Sequence, residues 1–249
     1  MARVIGNTAR RFPVRVMEIA DAAQAVVDEI ESLARASLRE QRRLVVGLPT
    51  GRTPLALYAE WAHRVGSGQD ALRQLVTFNL DEFLDIAPDH PASCRSYMRT
   101  HLLERISLAS DAAAFPEAGR CEAYEAAIGA AGGIDLQIVG IGRNGHVGFN
   151  EPGSAHDSRT REVALALTTR EDAAAAFGGL DRVPLRGVTM GIATILAAKR
   201  IRVLAFGAAK AAIVHRAVHS RASAALPVSW LRDHPDVQLI VDRDAARDL

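Results

Sequence analysis

The chain has 249 residues, 30 Lys or Arg against 29 Asp or Glu, and a hydrophobic fraction of 49%. A net charge of +1 excludes a nucleic-acid binder held by a broad basic field. The apolar content excludes a disordered chain, and the 5% aromatic content leaves no stacking platform for bases. A chain this long buries roughly 70–75% of its unfolded surface, so it needs no disulfide or metal staple, and one domain is expected. Cys94 and Cys121 stand outside any CxxC and read as inert core or helix thiols in a reducing cytoplasm. The N-terminal MARVIGNTARRFPVRV lacks the apolar run of a signal peptide, and no stretch of about 18 apolar residues exists to span a membrane.

Apolar β-branched runs alternate with helical patterns along the chain. Val14–Ile19 reads as a strand, and Asp21–Arg42 as a helix capped by Asp21. Leu44–Gly47 is a short buried strand, followed by a turn and a helix from Pro54 to about Val65. Val76–Leu80 is a third strand, Ser93–Ile106 and Cys121–Ala131 are helices, and Ile134–Ile141 is a strongly apolar strand. Val163–Leu167 reads as a strand, and Ala173–Gly179 as a break with the character of a mobile loop. Val188–Ala197 holds a turn and a helix, Ile201–Phe206 a strand, Ala208–Val218 a helix and Val237–Val241 a last strand. Strands separated by helices of ten or more residues imply βαβ units and a mostly parallel sheet with helices on both faces. Ligands of such sheets bind at the carboxyl ends of strands, so the loops after Gly47, Leu80, Ile141 and Phe206 are where chemistry is expected.

Leu48-Pro-Thr-Gly-Arg-Thr-Pro54 follows a buried strand and opens a helix. Thr53 suits the N-cap, Pro54 the first helical position, and Gly51 lets the backbone turn its amides outward. With Thr50 and Arg52 this makes an anion site or, more plainly, a capped turn; the Walker A spacing is absent. Gly140-Ile-Gly-Arg-Asn-Gly145 is a literal GxGxxG. Gly148, Pro152 and Gly153 follow it too closely for the long helix that a dinucleotide fingerprint needs. Asn144, His146, Asn150 and Glu151 share that loop, a set suited to a general acid/base imidazole oriented by a carboxylate. No spacing supports a metal site built from His146, Glu151, His156 and Asp157. Asp81 and Glu82 end a buried strand, so one can face the cleft as a base while the other caps or orients it. Lys210 sits just after a strand, where a cation opposes the helix dipole and hints at an anionic partner. His63, His101, His215 and His219 read as bland helix residues, and Trp61 and Trp230 as core.

Leu-Pro-Thr-Gly-Arg-Thr-Pro, Phe-Asn-Leu-Asp-Glu-Phe, Gly-Ile-Gly-Arg-Asn-Gly-His-Val-Gly-Phe-Asn-Glu-Pro-Gly and Val-Pro-Leu-Arg-Gly-Val-Thr-Met-Gly resemble, in order, the glucosamine-6-phosphate deaminase (isomerase) family, over about Leu44 to Val241. Related 6-phosphogluconolactonases share a GxGxDGH-like loop, but Phe-Asn-Glu-Pro and Asp-Glu-Phe favour the deaminase side. The resemblance implies an α/β fold with a three-layer, mostly parallel Rossmann-like sheet, as a single domain over 1–249 with a lid-like segment at about 164–182. It implies conversion of an amino-sugar phosphate to a ketose phosphate and ammonia without redox cofactor or metal. Asp81 would be the enolising base, His146 would open the pyranose ring, and Asn144 and Glu151 would orient it. Thr50, Gly51, Arg52, Thr53 and Lys210 would hold the phosphate, and Glu82 would belong to the substrate pocket. The expected partner is a small amino-sugar phosphate, with no nucleic acid or membrane, in a monomer or homo-oligomer.

Three departures from the family pattern bear on these expectations. Asn144 stands where an Asp is frequent, which keeps a hydrogen bond and removes a charge. Ala175 aligns with a lid arginine, and Arg52 replaces a usual glycine, so Arg52 is expected to supply the missing phosphate contact. Arg161 remains of an effector site, but Val163 is apolar, so hyperbolic kinetics are expected. Galactosamine-6-phosphate as substrate, lactone hydrolysis on the same fold, and a catalytically silent sugar-phosphate sensor are the competing readings.

Overall fold

A computed structural model describes residues 12–249; residues 1–11, where most of the stretch read for a signal peptide falls, lie outside the described residues. Seven strands form one sheet: β1 (Val14–Val16), β2 (Leu44–Leu48), β3 (Leu75–Asn79), β5 (Ala113–Ala114), β6 (Leu136–Gly140), β9 (Ile201–Ala205) and β10 (Val237–Val241). Their order is β1-β10-β9-β6-β2-β3-β5, and every pairing is parallel. β4 (Asp81–Phe83), β7 (Arg161–Ala164) and β8 (Arg186–Thr189) form a second, antiparallel sheet in the order β4-β8-β7.

The period-two alternation of each strand sorts its side chains to opposite faces. Leu44, Val46 and Leu48 of β2, with Leu136 and Ile138 of β6, join one apolar cluster. That cluster is completed by α1 (Ile19–Arg39) and α2 (Leu55–Gly66), through Val26, Val27, Ile30, Tyr58 and Trp61. Val45 and Val139 point the other way, into a cluster with Val203, Leu239 and Val241. α4 (Cys121–Ala130), α6 (Ile192–Leu196) and α7 (Ala211–His219) cover that face. Helices on both faces of a parallel sheet satisfy the expected three-layer α/β architecture. From β2 the chain moves outward to β3 and β5, and from β6 in the opposite sense to β9 and β10. The order therefore reverses between β2 and β6, the point beyond whose carboxyl ends ligands of such sheets bind.

Several local expectations give way. The first strand stops at Val16 and α1 begins at Ile19, with Glu18 at the N-cap and Asp21 inside the first turn. Pro54, not Thr53, occupies the N-cap position of α2, without a side-chain cap. The helix expected over Ser93–Ile106 is α3 (Cys94–Met98), capped by Ser93 Oγ on the Ser96 amide, and continues as a wider turn over Arg99–Leu103. Leu167, read as strand, opens α5 (Leu167–Phe177). The alanines expected to form a mobile loop lie within that helix, because nothing in Ala173–Ala176 breaks one. Gly178, at φ +72°, ends it in the left-handed conformation. Val188, expected in a turn, lies in β8. Trp61 is core, but Trp230 is only half-buried, edge-on to His156.

Candidate active site

The loop after β2 and the loop after β6 flank the point where strand order reverses. In the first, Gly51 takes φ +97°. Among the described residues the amides of Gly51, Arg52 and Thr53 have no acceptor, and Arg52 is exposed. Free amides before a helix make an anion site. Lys210, half-buried just before α7, reaches back to donate to the Ile141 carbonyl at 2.6 Å. Burial lowers its pKa, and Arg52 and Arg143 lower it further against the pull of Asp172. Lys210 thus feels the charges of Arg52 and Arg143 on the two neighbouring loops.

The second loop folds on itself. The Gly142 amide donates to the His146 carbonyl at 2.9 Å, and the imidazole lies over Gly142, where a Cβ would collide with Nε2. The second glycine of the GxGxxG therefore makes room for the ring, and the next helix begins only at Leu167. Asn144 accepts the His146 amide at 3.0 Å and donates to Glu151 Oε2 at 2.8 Å. It shapes the loop rather than touching the imidazole. Glu151 Oε2 lies 3.4 Å from His146 Nδ1.

Two residues absent from the sequence reading complete this network. Thr168 Oγ1 accepts from Asn144 at 3.1 Å, and Thr169 Oγ1 donates to Glu151 Oε1 at 2.5 Å while lying 3.0 Å from His146 Nδ1. With its proton given to Glu151, Thr169 can only accept from Nδ1, which places the imidazole proton there and leaves Nε2 free. Burial opposes ionisation of Glu151, but the bonds from His146, Thr169 and Asn144 outweigh it and hold the carboxyl down to about 2. The only signal for these threonines was a hydroxyl pair at a helix start, hidden by the strand reading of Val163–Leu167.

Asp81 leaves the main sheet where β3 ends and pairs with Thr189 in β4–β8. It is buried, and desolvation pushes its carboxyl up to about 7. Gly148 of the His146 loop, at φ +56°, abuts it: a Cβ there would lie 3.2 Å from Asp81 Oδ2. Glu82 takes the capping role of its two readings. Its carboxylate accepts the Cys94 amide at 2.8 Å, the Arg95 amide at 2.9 Å and its own neighbour Phe83 at 2.9 Å. Both of its oxygens serve the start of α3. Cys94 is a buried helix thiol, as expected, and it touches both Asp81 and Thr50.

Other expected residues lie apart. Arg161 donates to Asn150 Oδ1 at 2.9 Å and Ser154 Oγ at 3.0 Å, bracing the second loop from behind. Ala175 is exposed on α5. Arg143 ties the loop to that helix through Asp172 at 2.8 Å and Glu171 at 3.3 Å. Phe177 anchors the far end of α5 on Phe83 and His90, with ring centroids 5.0 and 5.3 Å away.

The geometry defines a doubly wound α/β protein in which a buried carboxyl, an imidazole and a turn with free amides stand at the carboxyl ends of the strands where their order reverses. Residues 18–240 match the family described as glucosamine-6-phosphate isomerases/6-phosphogluconolactonase, and the chain belongs to that family. It is 44% identical to a glucosamine-6-phosphate deaminase of Hahella chejuensis, covering 93% of this chain and 90% of that one. With the deaminase of Beutenbergia cavernae it shares 43% identity over 94% and 90%. Among solved structures it resembles a monomeric glucosamine-6-phosphate deaminase, with TM-score 0.89, 33% identity, and coverage of 95% of this chain and 100% of that one. A 6-phosphogluconolactonase from Trypanosoma brucei shares the fold at TM-score 0.75 and 21% identity, over 96% and 99% of the two chains.

Proposed function

We propose that this protein deaminates glucosamine-6-phosphate, giving fructose-6-phosphate and ammonia with consumption of one water. The observation that carries the reading is the contact of Gly148 with Asp81, which brings a buried base to the loop that bears His146. A carboxyl near neutral pKa suits removal of a carbon-bound proton, and an imidazole with Nε2 free suits a proton shuttle between oxygens. His146 Nε2 takes the proton of the anomeric hydroxyl and delivers it to the ring oxygen, opening the pyranose. Asp81 then removes the C2 proton and returns it to C1 while a proton of the amino group passes to O1, and water hydrolyses the resulting C2 imine to the ketone and ammonia. Glu151 stabilises the imidazolium while its proton load lasts, held in place by Thr169 and Asn144.

The free amides of Gly51, Arg52 and Thr53, the Thr50 hydroxyl and Lys210 hold the phosphate. Arg52 adds the cation that the exposed Ala175 does not supply. Segment 164–182, which contains α5, acts as the lid, since its threonines complete the imidazole network. Ammonia release from glucosamine-6-phosphate, galactosamine-6-phosphate and unphosphorylated glucosamine, run in parallel, tests the reading. The first is expected to turn over fastest and the last barely at all. Arg52→Gly is expected to raise KM for the phosphorylated sugar about tenfold, the scale of one charge-assisted hydrogen bond. An unchanged kcat/KM removes Arg52 from the phosphate site.

A further inference from the structure

Asp81 has an unusual set of neighbours for a carboxylate. The titratable groups facing it are Glu82 on its own strand, Cys94 on α3, Tyr58 on α2 and Tyr124 on α4. Both phenols donate elsewhere, Tyr58 to the Pro49 carbonyl and Tyr124 to the Asn79 carbonyl, and Glu82 is occupied by the amides of α3. Among the described residues no Lys, Arg or His bonds Asp81. Its side-chain partner is Cys94, with Sγ 3.6 Å from Oδ1, and both residues are buried. Thr50 Oγ1 lies 3.7 Å from the same sulfur. An ionised carboxylate can only accept, so the thiol proton points at Oδ1 and the Thr50 hydroxyl is left to donate to sulfur. Oδ2, the other oxygen, is the one beside Gly148.

We propose that Cys94 is a positioning residue for the deaminase reaction: its thiol holds Oδ1 of Asp81, so that Oδ2 is presented to the Gly148 loop and to the substrate proton. The proposal rests on Asp81 being the base. Burial, with the neighbouring carboxyls, keeps the thiol protonated, so it serves as a donor and not as a nucleophile. A thiol is a weak donor. It therefore orients the carboxyl without stripping its basicity as a guanidinium would, and it offsets part of the rise that burial imposes on Asp81.

The test is the pH dependence of kcat/KM for the wild type, Cys94→Ala, Cys94→Val and Cys94→Ser, with Asp81→Asn beside them. Loss of the donor is expected to move the acid limb upward by about 0.5–1 pH unit in the alanine and valine variants. Serine, which keeps a donor, is expected to bring the limb back toward the wild type. Valine nearly preserves the volume and carries the test if alanine does not fold. A limb that stays at the wild-type pH in these variants, even with a lower kcat, overturns the proposal, because a merely structural thiol would give that result. Full activity in Asp81→Asn would overturn the base assignment and this proposal together. An inactive Asp81→Asn with an unmoved limb would remove only the role of Cys94.

Discussion

Asp81 and Glu151 stand on either side of one loop, and their surroundings push them in opposite directions. Asp81 comes off the end of the main sheet and is buried, with a thiol as its side-chain donor and, among the described residues, no cation bonded to it, and burial raises its carboxyl to about 7. Glu151 is half-buried and also loses solvation, yet it accepts from Thr169 and Asn144 and pairs with His146, and is held down to about 2. Burial alone therefore does not set a carboxyl's charge state; the number and strength of donors that reach it do. The pair divides the labour as the proposed chemistry requires: one carboxyl exchanges a proton near neutral pH, and the other stays charged beside an imidazole.

Removing the Asp81 carboxyl should have the largest effect. Asp81→Asn is expected to lower kcat by about 10³–10⁴-fold, as loss of a general base does, while phosphogluconolactone hydrolysis, if any is present, should persist. Its stability should move the other way. The folded-state pKa lies above the ordinary 3.8, so ionising Asp81 costs stability as pH rises from about 4 through 7. The Asn variant should then gain in Tm relative to the wild type between pH 5 and pH 8, by about 2–4 °C for each kcal/mol of that cost. An equal Tm difference at the two pH values would mean that the carboxyl is not raised.

Glu151→Gln tests the opposite pole and should cost about 10²-fold in kcat, through loss of the charge beside the imidazolium. Here the folded pKa is depressed, so the stability contribution is present above the ordinary 4.5 and is lost as pH falls toward 2. In urea unfolding the wild type should lead the variant at pH 7, and that lead should shrink as pH falls below 4.5 toward 2. A gap as large at pH 3 as at pH 7 breaks the contrast between the two carboxyls. The smallest effect belongs to Thr169→Val, which leaves charge intact and removes the hydroxyl's hydrogen bonds to Glu151 and His146, worth roughly tenfold in kcat with KM little changed. Thr169→Ser should restore most of it. A valine variant that raised only KM would place Thr169 in substrate binding and not in the imidazole network.

The residues that meet at these strand ends were largely legible as types and spacings. Leu48–Pro54 reads as an anion turn because glycine, hydroxyls and proline each have a local conformational reason to be there. The segment from Gly140 to Glu151 reads as acid/base chemistry because Gly148, Pro152 and Gly153 forbid the helix a dinucleotide would need. Where local reasons conflict, the reading fails. Ala173–Ala176 favours a helix, but the Gly pair after it suggested a loop, and only the packing of Phe177 on Phe83 and His90 shows α5 anchored as a helix. Of the second sheet only the end of β7 is legible, in the strand read over Val163–Leu167. β4 and β8 are three and four residues long and their burial does not alternate, so their side chains carry little periodic signal.

The sequence by itself determined the parallel α/β scaffold, the strands that feed it and the loops that carry chemistry, because apolar alternation and turn residues act over a few neighbouring positions. Tertiary structure alone decided which groups surround each carboxyl. Cys94 reaches Asp81 across 13 positions and Thr169 reaches Glu151 across 18. Neither contact has a local cause, and charge state depends on what folding brings within a few ångströms.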